Sequence, residues 1–178
     1  MKIVLASIIF LFSHMDNLEA QTRWNSVSSN ITFIIKNAGL SVSGKFSGFE
    51  SKLNFYPDHL ASSTILASVD ANSINTNLDL RDKHLKKEEY FDVAKYPKIE
   101  MSSVSFEKLT EGYFKGKFKL TIKKTSKEVN IPFYYSESKG TAQLRGSISI
   151  DRRDFKVGGN SWTLSDSVKI SILVNATK

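Results

Sequence analysis

Apolar and polar residues alternate along most of this chain, and short groups of turn-forming residues separate the alternating runs. The clearest runs carry their apolar residues at Ile31, Phe33 and Ile35, at Phe114, Phe118, Leu120 and Ile122, at Val129, Ile131, Phe133 and Tyr135, and at Val168, Ile170, Ile172 and Val174. A period of two gives a β-strand one apolar and one polar face. Eight or nine such strands of about 6–10 residues, joined by short turns, predict an antiparallel sandwich or barrel.

Residues 70–97 depart from this alternation and carry helix signals instead. Asn77 is a suitable N-cap, because its side-chain oxygen accepts hydrogen bonds from the free amides of a first turn. Asp79 near the start and Lys86 near the end suit the helix dipole. We therefore predict a short helical segment over about residues 77–93 that covers one end of the β-structure.

Arg81 and Asp82 flank the apolar line that Leu78 and Leu85 form on this helix. Half-buried charges need partners, because desolvating one charge alone is unfavourable. One interpretation pairs Arg81 and Asp82 with each other or with nearby strands, so that they fasten a lid. The other has them hold the polar end of a ligand at the mouth of a cavity. Spacing alone favours the first interpretation.

The inward residues bear on the choice between a sandwich and a barrel. A sandwich packs its two inner faces together, whereas a barrel of about eight strands has room for side chains or one small ligand. The predicted inward set is rich in aromatic residues, namely Phe33, Phe46, Phe55, Phe118 and Phe133. It also has small residues at Gly44, Ala67 and Gly116, which are either twist points or open space beside a ligand. This set favours a barrel.

Residues 1–20 have the features of a secretory signal. Lys2 precedes an apolar run from Ile3 to Phe12, and Ala20 stands at the expected cleavage point. The run is too short to span a bilayer as a helix, which requires roughly 20 residues. We therefore predict that residues 21–178 form a single exported domain.

The formal net charge of +7 and the lack of cysteine narrow the partners and the chemistry. An anionic membrane surface is a candidate partner of an exported basic chain. Nucleic acid is disfavoured, because export separates the protein from it and no nucleic-acid motif is present. Lys115, Lys117 and Lys119 project from the polar side of one strand, either as a solvated face that discourages edge pairing or as a docking patch for acidic partners.

Catalytic and metal-binding patterns are lacking. No His or Cys cluster has the spacing of a zinc site, and neither a nucleophile elbow nor a phosphate-binding glycine loop is present. His84 is the one candidate for a general base in an enzyme acting on a hydrophobic substrate. We predict that the chain is not an enzyme and has no metal or cofactor.

Three groups of motifs follow one another along nearly the whole exported part of the chain. They are S-N-I-T-F at 29–33 with V-S-G-K-F-S-G-F at 42–49; S-I-N-T at 73–76, R-D-K-H-L at 81–85 and Y-F-D-V-A-K-Y-P at 90–97; and F-K-L-T-I-K at 118–123, R-R-D-F-K-V-G-G at 152–159 and L-S-D-S-V at 164–168. Together they resemble the YceI-like family of polyisoprenoid-binding proteins. The chain departs from the family at Ser28, where histidine is common.

The resemblance implies an eight-stranded antiparallel lipocalin-like barrel with a helical segment at its opening. It also implies an interior that holds the long tail of an isoprenoid lipid or quinone, and a periplasmic or secreted location. On this basis we expect the cavity wall to include Phe33, Phe46, Phe55, Phe91, Phe118 and Phe133. The head group is expected at the mouth, beside Arg81, Asp82 and His84.

The leading hypothesis is therefore an exported protein that carries or stores an isoprenoid lipid in an apolar barrel. The alternative is a barrel with a packed interior that acts through its basic outer face.

Overall fold

Eight antiparallel strands pair in chain order, and the last strand bonds back to the first, so that they form a closed barrel. The computed structural model describes residues 24–178. The strands are β1 (Asn25–Asn37), β2 (Leu40–Asn54), β3 (Thr64–Asn75), β4 (Lys98–Thr110), β5 (Tyr113–Ile122), β6 (Thr125–Ser138), β7 (Thr141–Asp151) and β8 (Leu164–Thr177). The prediction of an eight-stranded antiparallel barrel is confirmed, and the sandwich is excluded. The proposed signal at 1–20 lies outside the described residues.

The predicted helical segment is present but shorter than expected. A single α-helix, α1 (Asp79–Leu85), follows β3, and turns continue from it to Pro97. Asn77 is not the N-cap, since its backbone is left-handed with φ of 61°. The N-cap is Leu78, and its side chain makes no capping bond. Within residues 24–178, no helix reaches the length and hydropathy that a membrane-spanning helix requires.

The two ends of the barrel differ in how they are covered. At one end, which we call the mouth, lie the turn between β1 and β2, the turn between β5 and β6, the loop of residues 152–163, and residues 76–97 with α1, which we call the lid. At the other end, the closed end, lie the remaining turns and Trp24, which bridges to Leu53. The loop 152–163 opens with a 3₁₀ helix at Arg152–Phe155.

Aromatic side chains fill the closed end. Phe55 lies at the centre, with its ring centroid 5.1 Å from Phe114, 5.4 Å from Phe133 and 4.9 Å from Tyr135. Tilted and edge-to-face contacts at these distances are the favoured arrangements of aromatic rings. Phe55 and Phe114 are almost completely buried. The closed end of the barrel is therefore packed with side chains.

The barrel wall is split between β6 and β7 on the mouth side. These strands pair only between Phe133–Ser138 and Thr141–Gly146. The ladder ends at Pro132, which has no N–H to donate to the next position on β7. Phe155 is fully buried and packs with apolar residues of β5 beside this split. The 3₁₀ helix thus fills the gap that the proline leaves.

Candidate ligand-binding site

The mouth-side half of the barrel encloses an apolar cavity of about 200 Å³. Its wall is mostly aliphatic and includes Ile31, Ile35, Val42, Ala67, Val69, Ile99, Met101, Leu120, Ile122, Ile131, Ile148, Ile150, Val168, Ile170 and Ile172. Every strand of the barrel contributes at least one residue to the lining, because alternate side chains of each strand point inward. Such a wall binds hydrocarbon without requiring hydrogen bonds from it.

Three phenylalanine rings line the cavity beneath the lid. The centroid of Phe46 lies 5.6 Å from that of Phe33 and also 5.6 Å from that of Phe91. Phe91 belongs to the turns that follow α1, so the lid inserts an aromatic ring between the strands. Leu85 and Tyr90 of the lid also line the cavity. The lid is thus part of the binding wall as well as its cover.

The six phenylalanines expected on the cavity wall fall at two depths. Phe33, Phe46 and Phe91 line the main cavity. Phe118 and Phe133 line a smaller space of about 50 Å³ that lies deeper in the barrel. Phe55 lines neither space, in contrast to the prediction, because the aromatic cluster of the closed end surrounds it.

A ring of side chains separates the two spaces. The residues common to both linings are Phe49, Ala67, Met101, Ile131 and Ile172. Met101 is the flexible member of this ring, since methionine is unbranched and adapts to irregular gaps. The length of any chain that enters from the mouth is therefore limited at this constriction.

Two of the three small inward residues do not provide open space. A Cβ atom at Gly44 would overlap the ring of Phe33, and one at Gly116 would overlap the ring of Phe118. Each glycine therefore accommodates a neighbouring aromatic ring. Ala67 differs, because it borders both the main cavity and the deeper space.

Arg81 and Asp82 both bind Thr76, the first residue of the lid, which directly follows β3 and is buried. Arg81 donates from Nε to Thr76 Oγ1 at 2.7 Å and from Nη2 to the Thr76 carbonyl at 2.7 Å. The Asp82 carboxylate accepts from the Thr76 backbone N–H at 2.9 Å and from its hydroxyl at 2.5 Å. This geometry agrees with the interpretation that the two residues fasten the lid, since they hold α1 against the buried residue next to the end of β3.

The three residues expected at the head group are not equivalent. Arg81 lines the cavity, whereas Asp82 and His84 do not. The His84 side chain is half exposed, with Nδ1 3.7 Å from Glu89 Oε1 and its ring packed against Tyr90. Only Arg81 is placed to contact both the lid fastening and a bound molecule.

We expect Arg81→Ala to loosen the lid and to lower ligand retention about tenfold, because it removes two hydrogen bonds to Thr76 and a charged group on the cavity wall. The measurement is the off-rate of a fluorescent fatty probe. Lys83→Ala is the matched control, since Lys83 lies on the same helix but is exposed. Equal off-rates for the two variants would show that Arg81 has neither role.

Arg152 is a site residue that the sequence analysis missed. It is buried and lines the cavity, and its guanidinium is saturated with acceptors. It donates to the carbonyls of Val157 at 3.0 Å, Gly159 at 2.9 Å and Ser165 at 3.0 Å, and to Asp166 Oδ1 at 2.9 Å. One side chain thus holds the whole loop at the mouth in place.

The lid and the loop 152–163 are also tied to each other across the mouth. Lys123 donates from Nζ to the carbonyls of Glu88 and Lys156, both at 3.0 Å. The backbone N–H of Gly158 donates to the carbonyl of Glu89 at 2.8 Å. These bonds fix one side of the lid. In the part of the chain that the structure describes, no cluster of three or more His, Cys, Asp or Glu residues has the geometry of a metal site.

A closed antiparallel barrel with an apolar cavity at one end defines a lipocalin-like protein with a binding site for a hydrophobic molecule. The chain belongs to the YceI-like family, whose domain model matches residues 23–176.

Relatives support this assignment at different levels. A UPF0312 protein of Yersinia enterocolitica is 33% identical over 132 residues, which cover 73% of this chain and 65% of that protein. The chain therefore spans less than two thirds of this relative. Among solved structures, BcnA of Burkholderia cenocepacia superposes with a TM-score of 0.80 at 23% identity, covering 84% of this chain and 96% of BcnA. A polyisoprenoid-binding domain from Saccharophagus degradans superposes with a TM-score of 0.69 at 12% identity, covering 87% and 97%. At these identities, both structures support the fold alone.

Proposed function

We propose that this protein binds an isoprenoid lipid or isoprenoid quinone by its tail and carries it, without catalysing a reaction. The observation that supports this proposal most is the cavity of about 200 Å³, lined almost entirely by hydrocarbon and open towards the lid. Membership of the YceI-like family adds support. So does the fold shared with a domain described as polyisoprenoid-binding.

The size of the cavity limits how much of a tail it can hold. An engineered apolar cavity of about 150 Å³ takes up one benzene ring. By that measure, about 200 Å³ holds roughly eight carbon atoms, or between one and two isoprene units. Beyond this cavity lies the deeper space of about 50 Å³, which is too small for another isoprene unit. A longer tail therefore extends out through the mouth, beneath or beside the lid.

Burial energetics favour carriage over permanent storage. About eight buried carbons gain roughly 6 kcal/mol when they leave water, and association offsets much of that gain. A tail that starts in a bilayer is already out of water, so its transfer into the barrel is close to balanced. Such a balance allows uptake and release at membranes, which a carrier requires.

The same proposal places the protein outside the cytoplasm, where the segment 1–20 would direct it. The support is the signal pattern in the sequence and the +7 net charge. The positive charge suits contact with anionic membrane surfaces.

The direct experiment is organic extraction, followed by mass spectrometry, of protein purified from its own host. We expect an apolar, methyl-branched molecule at up to one equivalent per chain. Protein that is folded by circular dichroism but yields no such molecule, in extracts and in native spectra alike, would contradict the proposal.

We expect Met101→Ala to shift the bound molecules towards longer buried tails, because it joins the main cavity to the deeper space of about 50 Å³. The measurement is the tail-length distribution after loading with a mixture of isoprenols. Val104→Ala, on the outer surface of the same strand, is the control. An unchanged distribution would show that Met101 does not limit tail length.

The alternative function, a docking protein with a basic outer face, has less support. Lys115 pairs with Glu107 at 2.6 Å, and Lys117 pairs with Glu128 at 3.3 Å. The positive charge of this row is therefore partly neutralised by its own neighbouring strands.

A further inference from the structure

The large apolar side chains with the greatest exposure cluster at the mouth. Trp162 is fully exposed, Leu80 is 77% exposed and Leu40 is 74% exposed. Among residues 24–178, no other large apolar side chain exceeds Val27 at 62%. Isolated apolar residues on a surface are ordinary. Here, however, the three most exposed large apolar side chains of the described residues all lie at one end of the barrel, and such clustering requires an explanation.

The topology places these residues on both sides of the opening. Leu40 begins β2 at the turn that follows β1, and Trp162 is in the loop that precedes β8. The two segments touch, since the N–H of Ala38 donates to the Thr163 carbonyl at 2.8 Å. Leu80 lies on α1 of the lid, and the cavity wall includes its neighbour Arg81. The apolar groups therefore flank the path by which a ligand enters.

Unpaired lysines accompany these apolar groups. Lys83, Lys87, Lys124 and Lys156 all belong to mouth segments, and none has an acidic partner within 4.0 Å among the described residues. The acidic groups of the loop 152–163 and its borders, by contrast, are already engaged. Asp151 and Asp166 bond to Arg153, and Asp154 lies 3.7 Å from Lys127. The lid also carries Asp79, Glu88 and Asp92 without a basic partner within 4.0 Å among the described residues, but Lys86 and Lys95 are unpaired there as well, so the free charge at this end is positive on balance.

We propose that the mouth is a docking surface for an anionic lipid bilayer, with Trp162, Leu40 and Leu80 entering the interface and the four lysines contacting lipid head groups. This inference rests on the proposed function, because docking by the mouth would bring the cavity opening to the membrane from which the tail is drawn. Its test does not need a bound isoprenoid.

The chemistry of the surface fits a bilayer better than a folded partner. Tryptophan prefers the membrane–water interface, where its ring is apolar and its N–H is solvated. Basic residues beside anionic head groups add electrostatic attraction. The apolar side chains stand on separate segments around an opening, and they do not form the contiguous, well-packed patch of a protein interface. A lipid surface is fluid enough to surround such separate groups.

Two tryptophans make the test specific, because they lie at opposite ends of the molecule. Trp24 is buried at the closed end, whereas Trp162 is exposed at the mouth. We expect vesicles of phosphatidylcholine with about one third phosphatidylglycerol to pellet the protein and to shift its fluorescence to the blue. Trp162→Phe should abolish the shift while retaining part of the pelleting. Pure phosphatidylcholine vesicles should bind at least tenfold less.

Matched variants locate the surface. Leu40→Ser with Leu80→Ser, and separately Lys124→Glu with Lys156→Glu, should each lower binding at least tenfold. Leu109→Ser at the closed end and Lys117→Glu with Lys119→Glu on the outer wall should leave it unchanged. All variants are compared at equal folded fraction by circular dichroism.

Binding that is insensitive to the mouth variants, or binding lost through the outer-wall pair, would overturn the inference. So would an absence of vesicle binding by the wild type. If vesicles are not bound but isoprenoid co-purifies, the docking surface fails and the carrier proposal stands. If vesicles are bound through the mouth but no isoprenoid is ever found, docking stands and the carrier proposal fails.

Discussion

Ala67→Trp is expected to abolish loading of the barrel with an isoprenoid while leaving the protein folded. Ala67 borders both the main cavity and the deeper space. An indole at this position would occupy most of a cavity of about 200 Å³, since about 150 Å³ holds one benzene ring. Overpacking usually destabilises a filled core by about 1–3 kcal/mol. We expect a smaller loss here, because the site is hollow.

The measurement is the lipid content of variant and wild type after identical purification, with affinity for a short isoprenol measured by titration. We expect affinity to fall on the order of a hundredfold, since most of the buried hydrocarbon contact is lost. Ala61→Trp, an exposed position in the 3₁₀ helix at Leu60–Ser62, is the matched control. Unchanged lipid content in folded Ala67→Trp protein would mean that the ligand does not occupy this cavity.

Arg152→Met is expected to produce the largest loss of stability, about 3–5 kcal/mol in the free energy of unfolding, as for removal of one partner from a buried charged network. Methionine retains the length of the side chain but donates no hydrogen bonds. The carbonyls of Val157, Gly159 and Ser165 and the Asp166 carboxylate would then lose their donor. Buried acceptors without a donor are strongly destabilising.

Urea unfolding provides this measurement, and Arg153→Met provides its control. Arg153 is exposed and reaches Asp151 at 3.3 Å and Asp166 at 3.0 Å, so its loss should change stability little. Equal effects of the two substitutions would show that the buried network of Arg152 does not hold the loop. If Arg152→Met is as stable as the wild type but releases ligand faster, Arg152 shapes the mouth without stabilising the fold.

The positions of the strands followed from the sequence for a simple physical reason, although alternation alone left eight or nine strands and either a sandwich or a barrel. Alternation with a period of two appears wherever one face of a strand is buried, so Phe118, Leu120 and Ile122 identified β5 without further information. The same alternation assigned inward directions correctly to Phe33 and Phe46. Because short turns join most of the strands, pairing between consecutive strands could also be expected.

Depth along the barrel axis could not be predicted in this way. Phe33 and Phe55 are both inward-facing aromatics in the sequence pattern, yet one lines the cavity and the other lies in the packed closed end. The depth of a side chain depends on the register between strands and on where its strand begins along the barrel axis. The alternation of apolar and polar residues reveals neither. The glycines were ambiguous for the same reason, since the rings that cover Gly44 and Gly116 come from other positions.

The lid and the loop 152–163 show a second limit of prediction from sequence, namely that several groups compete for the same hydrogen bonds. Asn77 has a good N-cap side chain, but the Asp82 carboxylate binds the Thr76 backbone instead and the chain enters the helix at Leu78. Arg152 and Arg153 stand in an Asp-Arg-Arg-Asp run at 151–154, and both pair with Asp166. Arg153 is exposed, whereas Arg152 is buried beneath the loop. Identical residue types one position apart have opposite environments.

A crystal structure of protein purified from its own host would show whether hydrocarbon occupies the space between the lid and the constriction. We expect elongated, branched density that starts near Met101, passes between Phe46 and Phe91, and leaves through the mouth. Water molecules in that space, or wall side chains that close it, would overturn the proposal that the barrel carries an isoprenoid.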